Sequence, residues 1–419
     1  MTTDATEHAI LAVWRIERAR LIAALARIMQ GDVGFAEELC QDALVAALER
    51  WPATGIPDNP SAWLMTAAKR KALDQLRRHR VRERVHDALV HDLEAEQNAM
   101  PDLDSALDDN IGDETLRMMF SACHPLLSPD VRVALTLRLV GGLQTKEIAN
   151  AFLEPLDTVT KRIARAKKTL ANAAKDEGPP DAAQLSQRLS SVLEVIYVIF
   201  SEGYAASRGD QWMRPQLCAE ALRLGRMLAA IAPFEPEAHG LLALMEIQAS
   251  RAPARHDANG EPVLLLDQDR RRWDQLLLRR GLQALARAEK LGGRGGYYVL
   301  QASIAACHGH AIHAGETDWK RIAALYAELA EMTQSPIVEL NRAVAVSMCK
   351  GPEAGLAIVD ALLDEPCLKD FHLLAAVRGD LLERVGRAEE AREAFKRAAL
   401  LTRNLHERKI MTARAARLS

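Results

Sequence analysis

The sequence predicts an all-α protein, and two observations carry that prediction. Aromatic residues make up only 4% of the 419, while alanine, leucine and arginine are abundant. Residues of that kind lose little side-chain freedom in a helix, whereas large sheets draw on aromatic and β-branched residues. Apolar residues also recur at helical spacing in segment after segment, interrupted by Pro/Gly-rich loops. At this length the chain forms roughly two to four domains, each able to bury its own core. An apolar fraction of 49% excludes a mostly disordered protein.

The first clear helix runs over Gly34–Trp51, with Leu39, Ala43, Leu44, Ala47, Leu48 and Trp51 inward. Glu37, Glu38, Gln41 and Asp42 cluster near its start. After the loop Pro52–Pro60, a second helix runs from Ser61 through Arg80, anchored by Trp63, Leu64, Ala68, Leu73 and Leu76. Lys69, Arg70, Lys71, Asp74, Arg77 and Arg78 point outward from it. A stretch with Pro101 and few large apolar residues then reads as a tether.

Thr145–Phe152 reads as a short helix with Ile148, Ala149 and Phe152 on one face, followed by a turn at Leu153–Leu156. The next helix takes Asp157 as N-cap and buries Val159, Ile163, Ala166 and Leu170. Thr160, Lys161, Arg162, Arg165 and Lys168 fall off that stripe. Helix, short turn and basic second helix make the layout of a helix-turn-helix, whose second helix enters the DNA major groove. Long cationic side chains there bridge to phosphates and guanine edges. Two prolines in the run Lys175–Asp181 stop this helix.

The formal charge of -3 by itself argues against nucleic acid. Its distribution reverses that argument. Trp63–Arg84 carries eight basic residues and two acids, a net +6; Val85–Thr115 carries ten acids and no lysine or arginine; Thr158–Lys175 carries six basic residues and no acid. Two cationic blocks separated by an acidic tether make a pattern that the total hides, and the first block on its own reads as a charged surface helix more readily than as a nucleic-acid site.

In this order, the segments AEELCQDALVAALERW (36–51), NPSAWLMTAAKRKALDQLRRHR (59–80) and LSPDVRVALTLRLVGGLQTKEIANAFLEPLDTVTKRIARAKKTL (127–170) resemble extracytoplasmic-function (ECF) sigma factors of the sigma-70 family. They match the core-binding, -10-reading and -35-reading regions, over roughly residues 10 to 175. The resemblance implies a sigma region 2 bundle over 1–90, an acidic linker over 91–115 and a region 4 helix-turn-helix over 116–176. It assigns Glu38, Gln41 and Asp42 to the polymerase clamp helices, and Lys69, Arg70, Lys71, Asp74, Arg77 and Arg78 to the -10 element. Thr160, Lys161, Arg162, Arg165 and Lys168 match the positions that read the -35 element. The implied partners are RNA polymerase core, through its clamp helices and flap, and promoter DNA.

After a linker at 177–182, residues 183–419 read as a helical domain with Pro/Gly loops at Arg251–Pro262 and Gly292–Gly296. Within Gly379–Ala398, small residues at Gly379, Ala391 and Ala398 and an aromatic at Phe395 match tetratricopeptide (TPR) spacing. The turn residue Gly386 has a counterpart 35 positions earlier, Gly351. The stretches FSEGYAASRGD (200–210), LLDQDRRRWD (265–274), 300–326 and 339–356 resemble an ECF subgroup with a long TPR-like extension. Ser201 departs from it, standing where asparagine is expected. Such a domain implies regulation through an unidentified protein or intramolecular partner.

Other features carry less. His308, His310 and His313 lack a matching carboxylate or cysteine, so no metal and no cofactor is expected. Gly292–Gly296 does not follow a strand and reads as a loop rather than a phosphate cradle. Asp267, Asp269, Arg270, Arg271, Arg272 and Trp273 read as an exposed interaction or ion-pair cluster without a nucleophile–base pair, so the chain is not expected to be an enzyme. Six scattered cysteines read as small buried residues of a reducing compartment. The N-terminus has no signal-peptide pattern, and the longest apolar run, Val192–Phe200, is too short to span a bilayer. A cytoplasmic protein without membrane partners is the expectation. A free-standing helix-turn-helix regulator with a TPR-like sensor remains the alternative to a sigma factor.

Overall fold

The computed structural model describes residues 10, 13–14, 17–18, 21–26, 29, 32–60, 62–72, 118–152, 154–176, 182–206, 213–257 and 262–418. Among them the fold is all-α, and the lone β-bridge, His256 with Pro262, belongs to a loop. The chain divides into two compact units, Met1–Val195 and Ile196–Ser419. The acidic tether and the 177–181 break lie outside the described residues.

In the first unit, α1 spans Val33–Thr54 and is capped by Asp32, whose Oδ1 accepts the Phe35 N–H at 2.9 Å. It continues past Pro52, where the sequence predicted a loop. A proline in the last turn forgoes one hydrogen bond without interrupting a long run, and the helix stops instead at Gly55, at φ 82°. Val33, Ala36, Leu39, Cys40, Ala43, Ala47 and Trp51 form its buried stripe. The helical residues 62–72 bury Leu64, Met65, Ala68 and Ala72, and their first turn is capped by Asn59. Trp51 and Trp63 lock the two helices edge to face, with ring centroids 5.3 Å apart.

Three further helices follow: α2 (Pro129–Leu139), α3 (Thr145–Phe152) and α4 (Leu156–Asp176). Proline at the first position of α2 suits a site whose N–H has no partner in any helix. Gly142, at φ 75°, turns the chain towards α3. α5 (Ala182–Tyr204) runs across the boundary between the two units.

The second unit continues through α6 (Pro215–Ile231), α7 (Pro236–Ala249), α8 (Gln275–Lys290), α9 (Tyr297–His310) and α10 (Trp319–Thr333). α11 (Pro336–Lys350), α12 (Pro352–Ala361), α13 (His372–Arg384), α14 (Ala388–Leu401) and α15 (Leu405–Arg417) complete it. From α10 onward each helix packs on its neighbour in sequence. A Cβ at Gly379 would lie 2.8 Å from the Phe395 ring, and one at Gly355 would lie 2.6 Å from the Ser347 Cβ. Small residues thus permit the close approach of α13 to α14 and of α11 to α12. Gly351 and Gly386 take φ of 97° and 82° in the turns.

Cys349 and Cys367 are exposed, contrary to the expectation of six buried thiols. Cys349 occupies the open last turn of α11 and Cys367 a 3-10 turn after α12, so neither reaches an apolar stripe.

Candidate nucleic-acid interface

The helix-turn-helix follows the sequence closely. On α3, Ile148 and Ala149 are buried and Phe152 is half-buried. On α4, Val159, Ile163, Ala166 and Leu170 are each 5% exposed or less, so the apolar stripe is the packed face. α4 begins at Leu156, two residues earlier than a cap at Asp157 implies, and Asp157 falls in its first turn rather than at the cap. Its carboxylate still faces the positive end of the helix dipole.

The opposite face of α4 presents Thr160, Lys161, Arg165 and Lys168 to solvent. The Thr160 hydroxyl donates to the Leu156 carbonyl at 2.8 Å, as threonines on helices commonly do. Arg162 differs from its neighbours. It is half-buried, and its Nη2 lies 2.8 Å from Oε2 of Glu154 in the turn. That pair braces the turn against the helix.

The first basic block is described only in part. Arg70 is exposed and Lys69 half-buried, while Asp74, Arg77 and Arg78 lie outside the described residues. On α1, Glu38 and Gln41 are exposed and Asp42 is half-buried. Asp42 Oδ2 lies 3.1 Å from Lys71 Nζ, so a residue assigned to polymerase and one assigned to DNA are neighbours. With both side chains nearly half exposed, the pair contributes less than about 1 kcal/mol. The loop 55–59 between these helices is largely open, with Gly55, Asp58 and Asn59 exposed.

Glu37 is the residue that sequence reasoning placed wrongly. It is 3% exposed rather than part of an open acidic cluster. Its Oε1 receives Arg18 Nη2 and Arg138 Nη2, each at 2.6 Å, and its Oε2 pairs with Lys167 of α4. Arg18 also donates from Nη1 to the Arg138 carbonyl at 2.6 Å. Burial raises the cost of the charge, but Lys167, Arg138 and Arg18 outweigh it and hold the carboxyl below its usual range. Burial in turn lowers the Arg18 guanidinium. The available signal was periodicity: Val33, Glu37, Cys40 and Leu44 share one helix face, so Glu37 is an acid on an apolar stripe.

Among the described residues no group of three or more His, Cys, Asp or Glu residues comes together in a way that could hold a metal ion. No described helix is long and apolar enough to cross a membrane.

Comparison with known families divides the chain in the same order. Residues 16–82 match the family model for sigma-70 region 2, and residues 117–170 match that for sigma-70 region 4. Residues 188–289 match a family of unknown function, DUF6596. Over 160 residues the chain is 31% identical to "ECF RNA polymerase sigma factor SigK" of Mycobacterium ulcerans (strain Agy99), covering 36% of this chain and 79% of that protein. Over 392 residues it is 41% identical to "Uncharacterized protein R00370" of Rhizobium meliloti (strain 1021), covering 93% of this chain and 91% of the relative.

Proposed function

Because the chain belongs to the ECF RNA polymerase sigma factors, we propose that its two basic blocks divide the promoter between them, in a protein regulated through its C-terminal helices. Glu38, Gln41 and Asp42 dock on the clamp helices of core polymerase, where a small acidic and amide cluster gives steering and register against basic partners. Lys69, Arg70, Lys71, Arg77 and Arg78 hold phosphates around the -10 element. The loop 55–59 receives a base flipped from the separated strand, and contacts there must repay a few kcal/mol of unstacking.

Thr160, Lys161, Arg165 and Lys168 read or clasp the -35 element from α4. The exposed cationic face of α4 beside its packed apolar stripe is the observation that carries this reading. Arg162, already paired with Glu154, acts first as a brace for the turn.

The C-terminal helices form a TPR-like module that receives the regulatory signal. Their sequential packing and the close approaches at Gly355 and Gly379 support that reading.

In vitro transcription with purified core polymerase tests the whole scheme. Promoter-specific initiation that depends on this chain is expected. A chain that footprints promoters unaided and gives no initiation with core would be a free-standing regulator instead. Deleting 183–419 should change regulation or promoter output; no change in either removes the regulatory role.

A further inference from the structure

The C-terminal unit buries positive charge that promoter recognition does not use. Arg251 and Arg270 are each 7% exposed and come from opposite ends of the segment between α7 and α8. Their guanidinium carbons lie 5.2 and 5.3 Å from the ring centroid of Trp273, itself 3% exposed. The sequence predicted an exposed ion-pair cluster here. Only its outer part, Asp269 with Arg271 at 3.0 Å, meets that description. Arg270 and Trp273 turn inward because the 3-10 turn Arg270–Arg272 points successive side chains in different directions.

Among the described residues no carboxylate forms an ion pair with Arg251 or Arg270. Arg270 donates to the carbonyls of His308 and Ala311 at 2.9 and 2.8 Å and to the Thr317 hydroxyl at 2.9 Å. Arg251 donates to the Ala305 carbonyl at 3.2 Å and meets the Tyr204 side chain. Arg255, 6% exposed, stacks 3.8 Å over the Tyr204 ring. Glu316 is the carboxylate whose field reaches Arg270, but it is committed to the N–H groups of Ile312 and His313, each at 3.2 Å. Carbonyls and ring faces soften the cost of burying these cations without neutralising it.

Hydrogen-bonding capacity is also left over. Arg251 Nε, Arg270 Nε, Trp273 Nε1 and His308 Nδ1 are buried with no partner among the described residues. Orphaned buried polar groups are rare and costly, and each calls for an explanation. Three of these four are obligatory donors. His308, 6% exposed, stays neutral: burial, then Arg251 and Arg270, push its pKa down to about 3. It therefore adds no further positive charge.

We propose that Arg251, Arg270 and Trp273 form a binding site for a small oxyanion, a carboxylate or phosphate group carried by a regulatory ligand. An oxyanion offers acceptors only, which matches a set of donors, and its charge offsets two guanidiniums held by one indole. A cation would meet the repulsion of two guanidiniums. The site rests on these residues alone, so it stands or falls separately from the promoter-directed function.

Calorimetric titration of the full chain with inorganic phosphate, and separately with malonate, at constant ionic strength tests it. One-to-one binding of at least one anion is expected. Phosphate alone would indicate a phosphorylated ligand, malonate alone a carboxylate, and both the shared oxyanion chemistry. Arg270→Lys should weaken binding at least tenfold, and Trp273→Phe, which keeps the ring and removes the N–H, about fivefold. Absence of saturable binding by both anions, or an affinity unchanged in both variants, overturns the proposal. Should Arg270→Lys fail to fold, an unchanged affinity in Trp273→Phe does so alone.

Discussion

Lys167 on α4 pairs with Glu37 on α1 across 130 positions of sequence, tying the recognition helix to the helix proposed to dock on polymerase. The carboxylate that joins them is 3% exposed and also holds Arg18 and Arg138, so it is the centre of the contact rather than one end of it.

Removing the Glu37 charge should therefore cost more than removing Lys167. Glu37→Gln leaves the buried Arg18 and the half-buried Arg138 without a counter-charge, a situation that costs about 3–5 kcal/mol. Lys167 is 22% exposed, and its ammonium is easily replaced by water at that edge. Lys167→Met should cost about 1 kcal/mol. Urea unfolding of both variants checks the order; equal losses would mean that Glu37 acts only through Lys167.

The -35 contact separates two arginines that look equivalent in sequence. Arg165 is exposed and stands in the open row with Lys161 and Lys168, whereas Arg162 is engaged by Glu154 at 2.8 Å. Arg165→Ala should weaken holoenzyme binding to a -35 duplex by about 1–3 kcal/mol, and the loss should shrink on a scrambled duplex if a base edge is read. Arg162→Ala should act equally on both sequences, through the turn. Anisotropy titrations against the two duplexes distinguish these; equal losses for Arg165→Ala would reduce it to a phosphate contact.

The helix-turn-helix was legible because one periodicity governs it: α3 ends at Phe152 as read, and the stripe from Val159 to Leu170 is buried as read. Glu37 and Arg270 were missed for different reasons. Periodicity places Glu37 on the apolar stripe of α1, but the lysine that lets a charge stay there, Lys167, is remote in sequence. Arg270 sits in a three-residue turn too short to show a periodicity, and its partners, such as the Ala311 carbonyl, are remote as well. The extension of α1 beyond Pro52 escaped for a different reason, since proline near a helix end costs little enough for context to decide.

Two glycines in the C-terminal unit should respond to alanine for different reasons. Gly379→Ala places a Cβ 2.8 Å from the ring of Phe395, which is fully buried. Overpacking of this kind costs about 1–3 kcal/mol. Gly386→Ala meets no neighbour within 4 Å, so its cost is backbone strain at φ 82°, about 1 kcal/mol. A Phe395→Leu background should relieve the first substitution and leave the second unchanged. Equal relief in both would place the strain elsewhere in the α13–α14 pair.

The low pKa of His308 makes stability depend on pH in a window of its own. In the unfolded chain the imidazole takes a proton near pH 6.5, but in the folded chain only at about 3. Between those values the unfolded state binds more protons, so stability rises with pH and falls on acidification, by about 1.4 kcal/mol per pH unit. Glu37, whose folded pKa is lowered, supports the fold above its unfolded value of 4.5 and withdraws that support only as pH drops further. The interval from 6.5 to 4.5 therefore isolates the histidine when the native chain is compared with His308→Gln. Unfolding midpoints at pH 7, 6 and 5 should fall more steeply for the native chain than for the variant. Parallel profiles would show that His308 is not held neutral between the two arginines.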